Sequence, residues 1–248
     1  MVVQHWEHIR KQLEGQVNIW PFAVVSPGDP DPTDVAYLGQ LGWGIVHADN
    51  TPLGAKWNKG WQAIGDAMNP GQSVSCAFMQ MGSDNLVGVP YIMAALARIR
   101  MAVTNINGVD HVGLDSCFFI NSVNGETVMC TAGGKWGYGP ARMFSFKAMR
   151  GMNFKPYLDK KNGKMDAQVD RRLESMNAVG CVLPSVAATR MVVVDIKGPG
   201  SKNSWDAAKQ RRILSNEWKP QSHGLIPLLF PHLNWPDYMM IGGDENEG

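Results

Sequence analysis

Apolar positions along the chain recur at two periods, and the alternation between them outlines the fold. Over residues 3–14, Trp6, Ile9 and Leu13 share one face at helical spacing, which predicts a short amphipathic helix. Residues 19–25 form an apolar run that breaks at Ser26-Pro27-Gly28-Asp29-Pro30, the pattern of a buried strand entering a turn. Thr33 or Asp34 then suits the N-cap of a helix ending near Leu41. Residues 44–48 predict a second strand, residues 56–68 a helix, and the nearly all-apolar residues 74–81 a third strand covered on both faces. A helix over 90–101 and a strand from 111 to 114 follow. Residues 118–121 and 126–130 flank Asn124-Gly125, a hairpin signal. Three β–α units followed by a hairpin predict an α/β sandwich with a mostly parallel central sheet. With no long linker, residues 1–236 read as one domain, and residues 237–248, acidic and without a base, as a frayed tail.

Composition narrows the functional classes. The 248 residues are 44% hydrophobic, 18% charged and 9% aromatic, a balance that excludes an intrinsically disordered chain. No apolar run reaches the ~18 residues of a membrane span, and the N-terminal stretch lacks the apolar core of a signal peptide, so neither a membrane partner nor secretion is expected. Cys76, Cys117, Cys130 and Cys181 show no C-x-x-C spacing and read as free thiols in a reducing compartment. His5 and His8, three apart, have a possible metal spacing, but two histidines on a surface helix are the commoner case.

The formal net charge of +1 conceals a strong asymmetry. Residues 1–120 hold 6 Lys/Arg against 10 Asp/Glu, whereas residues 135–219 hold 17 against 7. The two halves therefore face different ligands, and a polyanionic partner for the second half is not excluded by the total.

In open parallel sheets ligands bind where strands give way to loops. Three such ends carry polar residues: Ser26–Asp29, Asp49–Gly54 and Gly82-Ser83-Asp84-Asn85. A carboxylate at Asp84, straight after a buried strand, suits either a helix cap or a hard divalent cation. Lys56 and Asn58 in the first turn of the following helix suit a nucleotide diphosphate. Asp29 and Asp49, ending early strands, suit contacts to a base and a ribose, and equally suit turns.

The order Asn50-x-Pro52-Leu53-Gly54-x-Lys56-Trp57-Asn58-x-Gly60, then a strand, then Gly82-Ser83-Asp84-Asn85, resembles nucleotide-sugar glycosyltransferases of the family 2 type with the GT-A fold. Within that group it is most similar to phage and metavirome enzymes that add sugars to hypermodified DNA bases, including the TET-associated glycosyltransferases. Met165-Asp166 with Arg172-Leu173 resembles the family's Glu-Asp…Arg-Leu segment, and residues 192–200 with Trp205 its late strand and loop. The resemblance covers roughly residues 20–206. It implies a Rossmann-like GT-A sandwich and an inverting transfer from a UDP-sugar. It further implies Mn²⁺ or Mg²⁺ at Asp84 and donor contacts from Ser26, Asp29, Asp49, Lys56, Asn58, Ser83 and Lys197. Asp166 would be the catalytic base, with Arg172 in support and Asp170 the next choice. Asn85 stands where a second carboxylate is common, and Met165 where the group often has Glu.

For the acceptor, Gly133 to Arg142 is glycine-rich with Trp136, Tyr138 and Arg142, which suits a loop that stacks on a base and holds a phosphate. A hairpin loop with exposed aromatics is the alternative. Residues 135–172 carry 10 bases against 3 acids around Asp166. This charge favours a polyanionic acceptor, and the resemblance implies DNA bearing hydroxymethylated pyrimidines such as 5-hydroxymethylcytosine, in phage DNA within the cytoplasm of an infected bacterium. A polysaccharide or protein acceptor, and a non-catalytic nucleic-acid-binding relative, are the competing expectations.

Overall fold

The structure, a computed structural model, describes residues 2–28, 32–68, 76–104, 108–131, 134–161, 163–198, 205, 218–221 and 225–233. Asp29 and the acidic tail lie outside the described residues. The chain opens with α1 (Val2–Gln12), β1 (Phe22–Val25), α2 (Pro32–Gln40), β2 (Gly44–His47), α3 (Leu53–Ala67) and β3 (Ala77–Met79). There follow β4 (Asn85–Val87), α4 (Val89–Thr104), β5 (His111–Leu114), β6 (Ser116–Asn121), β7 (Thr127–Thr131) and β8 (Met143–Ser145). The last elements are α5 (Phe146–Gly151), α6 (Met165–Ser175), β9 (Gly180–Leu183), β10 (Val193–Lys197), β11 (Trp218–Gln221) and α7 (Leu225–Leu229).

The elements expected from the periodicity are present, but the sheet is not the one expected. Strands β1 and β2 pair alone; β3-β8-β5-β9 and β11-β7-β6-β10-β4 form the other two sheets. Among the described residues three strand pairings are parallel and five antiparallel. The expectation of a mostly parallel sheet is therefore corrected to a mixed α/β architecture. Part of the reason is local. Gly125 takes φ +72° and its N–H donates to Asn121 O at 2.8 Å, while Asn124 Oδ1 accepts from Glu126 N, so β6 and β7 must run antiparallel. The rest is tertiary, because β8 returns between β3 and β5 and opposes both.

Strand periodicity sorts the core. Cys117 and Phe119 of β6 face one apolar cluster with α1 and α4, while Phe118 and Ile120 face another with Leu229 and Phe230. On β10, Val194 and Ile196 join the second cluster and Val193 the first, which puts Asp195 and Lys197 on the Val193 face. Tyr91 of α4 is fully buried and donates its hydroxyl to Ala141 O at 2.8 Å, tying helix to loop. A third cluster gathers Trp61, Phe144, Met149 and Leu173 from α3, β8, α5 and α6.

Buried histidines make this packing sensitive to acid. His111 on β5 is 0% exposed, and neither ring nitrogen has a hydrogen-bond partner. It is wedged against Trp136 and Phe144, and burial, followed by the charge of Arg142, lowers its pKa to about 3. Buried His5 has its Nδ1 3.0 Å from Nε2 of the more exposed His232, joining α1 to the segment after α7, and burial lowers the His5 pKa to about 4. Neutral in the folded state and protonated when unfolded below pH 6.5, these groups contribute stability that is complete above that pH and lost as pH falls. Denaturant titration is expected to show His111→Leu at least as stable as the parent at pH 7. Its relative stability should grow by about 2 kcal/mol by pH 5.

Candidate functional site

The Gly82–Asn85 turn is built by its own side chains. Gly82 N donates to Asn85 Oδ1 at 2.8 Å and Asn85 N to Gly82 O at 3.3 Å, so buried Asn85 closes the turn with the oxygen that a second metal-motif carboxylate would otherwise present. Asp84 occupies the crest, its side chain 47% exposed, and its carbonyl accepts from Ile196 N at 2.8 Å. This bond stitches the turn to β10 and brings Lys197 Nζ to 3.5 Å from Asp84 Oδ2 and 2.6 Å from Asp195 Oδ1. Lys197 is buried, with its ammonium 5.7 Å above the Phe119 ring.

Burial drives the pKa of Asp195 up to about 7, Asp84 adds to the rise, and Lys197 opposes it. For Lys197, burial alone would lower the pKa, but the two carboxylates outweigh it and the ammonium is held above its ordinary value. Asp195 was not among the residues expected from sequence. The signal was present nonetheless: Asp195 and Lys197 are two apart on a strand and so share a face.

The start of α3 differs from expectation, because the helix begins at Leu53 and Asn58 falls in its second turn. Asn58 is 2% exposed and donates to Tyr157 O at 2.9 Å and to Asp159 Oδ1 at 2.7 Å, while its own Oδ1 accepts from Tyr157 N at 3.1 Å. Its amide is thus engaged inside the protein, which corrects the expected nucleotide contact. Gly54 N donates to Lys161 O at 2.9 Å, so a backbone carbonyl already caps this helix end. A Cβ at position 54 would run into Leu158 O, which explains the glycine. Lys56 remains available, donating to Asn50 Oδ1 at 3.1 Å on the surface. Asp49 is exposed beyond β2, and Ser26 is buried at the end of β1 with its hydroxyl unpartnered. Ser83 is exposed beside Asp84.

The aromatic and arginine residues assigned to an acceptor loop are interior groups. Trp136 is 3% exposed, packed edge-on against His111 and beneath Gly180, so neither ring face is open to a base. Tyr138 is buried against Phe119. Arg142 is buried, donating to Tyr138 O at 3.0 Å, Gly137 O at 2.7 Å and Asp170 Oδ1 at 2.7 Å. These three expectations are corrected for one reason: the loop folds back along β5, where Tyr138 N donates to Leu114 O at 2.7 Å. Asp170 is consequently tied to Arg142, and burial, ahead of that arginine's opposing effect, raises its pKa.

Asp166, in the first turn of α6, is exposed, and its carboxylate lies so close over Gly139 that a Cβ there would overlap it. Arg172 is half-buried two turns along the same helix. Asp166 is also an electrostatic neighbour of Tyr157, and together with burial it pushes that phenol upward. The Tyr157 hydroxyl donates to Gln80 Oε1 at 2.6 Å, which also accepts from Trp61 Nε1 at 3.0 Å. Gln80 lies two residues before Gly82, so this chain of contacts links the Asp166 neighbourhood to the Asp84 turn. Gln80 and Tyr157 carry no linear motif and were missed.

A cavity of about 700 Å³ opens between α1, β1, α3, β3 and α4. Trp6, Trp20, Trp43 and Trp57 line it, and Lys56, Gln80, Gly82 and Ser83 form part of its polar lining. Among the described residues no group of three His, Cys, Asp or Glu converges on one point. Compared with models of protein families, with curated proteins and with solved structures, the chain matches none of them.

Two measurements check this geometry. Asn58→Ala removes three hydrogen bonds and is expected to lower unfolding free energy by about 2–4 kcal/mol in urea titration. Asn58→Asp should cost at least as much at pH 7, because it sets a carboxylate against Asp159 Oδ1 and Tyr157 O. Burial and the neighbouring Asp84 raise the Asp195 pKa against the pull of Lys197. Asp195→Asn leaves the Lys197 ammonium short of a carboxylate and is expected to be less stable than the parent in urea titration, by a margin that narrows as pH rises above the ordinary carboxylate range, where only the parent must ionise a buried acid.

Proposed function

We propose that this chain is a GT-A-type glycosyltransferase that moves a sugar from a UDP-sugar to a hydroxymethylated pyrimidine in phage DNA. The observation that carries the reading is convergence. Lys56 and Ser83, from separate segments of the resemblance, line one cavity, and Asp84 follows Ser83 at its edge. A third segment, with Asp166, lies within electrostatic range of Tyr157, whose hydroxyl donates to the cavity-lining Gln80. An aromatic cavity of this size with a few polar groups suits a nucleotide sugar.

In the reaction the acceptor hydroxyl oxygen bonds to the anomeric carbon as the bond from that carbon to the diphosphate oxygen breaks. The hydroxyl proton passes to Asp166, and the nucleoside diphosphate leaves. Asp170, held by Arg142, is less free to take that proton. Asp84 is the residue that would hold Mn²⁺ or Mg²⁺, which supplies positive charge to the leaving phosphates; one carboxylate plus the donor's own phosphates is a normal set for such ions. Lys56 adds a cation on the same side. Lys197 is enclosed by Asp84 and Asp195 and acts as a positioning residue for the turn. The exposed Lys147, Arg150, Lys160, Lys161, Lys164 and Arg171 favour a polyanionic acceptor over a neutral polysaccharide.

The non-catalytic alternative draws on Asn85, whose oxygen is engaged in the turn. A screen of UDP-sugars with Mn²⁺ or Mg²⁺ decides between them, read by nucleoside mass spectrometry of hydroxymethylcytosine DNA and unmodified DNA. Transfer to the modified DNA alone is expected, abolished by Asp84→Ala. Asp166→Asn should lower kcat roughly 10²–10⁴-fold while leaving slow donor hydrolysis in place. Full transfer by Asp166→Asn would remove the base assignment, and no donor turnover by the parent would favour the binding protein.

A further inference from the structure

Residues 157–164 join α5 and α6 through a loop that is more tightly held than its exposure suggests. Asn58 clasps Tyr157 and Asp159, as described above. Leu158 N donates to Gln168 Oε1 at 2.7 Å, and Leu158 O accepts from Lys161 N at 3.1 Å. Gln168 Nε2 in turn donates to Gly163 O at 3.0 Å, and Lys161 O receives Gly54 N. Leu158 therefore has a fixed backbone, yet its side chain is left 47% exposed. Single exposed leucines are ordinary. This one differs in its setting: Lys160, Lys161 and Lys164 beside it are all exposed, and the one acid in the loop, Asp159, is engaged by Asn58. The loop also runs directly into Asp166, the residue after Met165 at the start of α6.

We propose that Leu158, flanked by Lys160, Lys161 and Lys164, is an unstacking wedge for duplex DNA. An apolar side chain inserted at a base step separates the stack, and lysines in the same loop hold the phosphates that the step carries. Because the clasp has already ordered the loop, binding carries little cost for fixing it. The loop that carries the wedge leads into α6, whose first turn holds Asp166, the proposed proton acceptor for a base turned out of the helix. The inference rests on the DNA-acceptor reading but concerns how the base is presented, not how the sugar is transferred.

The test uses the full chain and a duplex containing one hydroxymethylcytosine next to 2-aminopurine, whose fluorescence rises on unstacking. Binding is followed separately by anisotropy of an end label, across a salt series. The parent is expected to bind at low salt with a several-fold rise in 2-aminopurine emission. Leu158→Ala should bind within about twofold of the parent, with an unchanged salt slope, because the phosphate contacts are intact. It should nevertheless lose most of the emission rise, and Leu158→Phe should keep it. Replacing Lys160, Lys161 and Lys164 together by Ala should weaken binding and flatten the log–log salt slope by roughly 2–3. Parent binding without an emission rise, or an undiminished rise in Leu158→Ala, overturns the wedge while leaving the acceptor reading intact. Absence of parent binding at low salt overturns both. Thermal melts of each variant check folding, and Leu158→Ala should match the parent because the bonds at position 158 are made by the backbone.

Discussion

The side-chain amide of Asn58 joins two parts of the chain 99 residues apart, and the candidate site depends on that junction. It satisfies the backbone N–H and C=O of Tyr157, which would otherwise be buried without partners, and also binds one oxygen of the exposed Asp159. With Tyr157 fixed, its hydroxyl reaches Gln80 and the following loop is drawn against the first turn of α3. The small Gly54 allows that approach. A basic loop is thereby held against α3, and Tyr157 is tied to Gln80, two residues before Gly82.

A second constraint is electrostatic. Lys197 is a buried cation shared by two carboxylates, one buried and one at the surface. Removing any member would leave a charge with too few partners in a low-dielectric setting, which is why such groups hold a unique arrangement even when their net stabilisation is small. Here the arrangement joins β10 to the crest of the Asp84 turn. The same cluster limits what Lys197 can do, since an ammonium 2.6 Å from Asp195 is not free to reach for a distant phosphate.

Several residues illustrate how far sequence reading carries. The Asn124-Gly125 hairpin was legible because turn chemistry is local. So was the exposed carboxylate of Asp84, which follows from a polar turn after an apolar strand. Asn58, Trp136 and Arg142 were read as ligand contacts because amides, aromatics and guanidinium groups recognise ligands. The same groups equally satisfy a protein's own backbone and core, and nothing in linear spacing distinguishes the two uses. Asp195 was passed over although strand alternation places it beside Lys197.

The sequence by itself determined most helices and strands up to residue 130, the Asn124-Gly125 turn, and a basic second half behind a near-neutral total, while β4, β8, α5 and β9 went unread. The features it determined depend on periodicity and on contacts a few residues long. Only the tertiary structure decided the direction in which strands pair, the enclosure of Lys197, and which polar side chains are consumed internally. Those outcomes depend on contacts such as Asn58 with Tyr157, Arg142 with Asp170 and Lys197 with Asp84, whose partners lie 28 to 113 residues apart. Closing such loops costs entropy that grows only slowly with length, so the burial and hydrogen bonding available at each junction, not sequence spacing, select the partner.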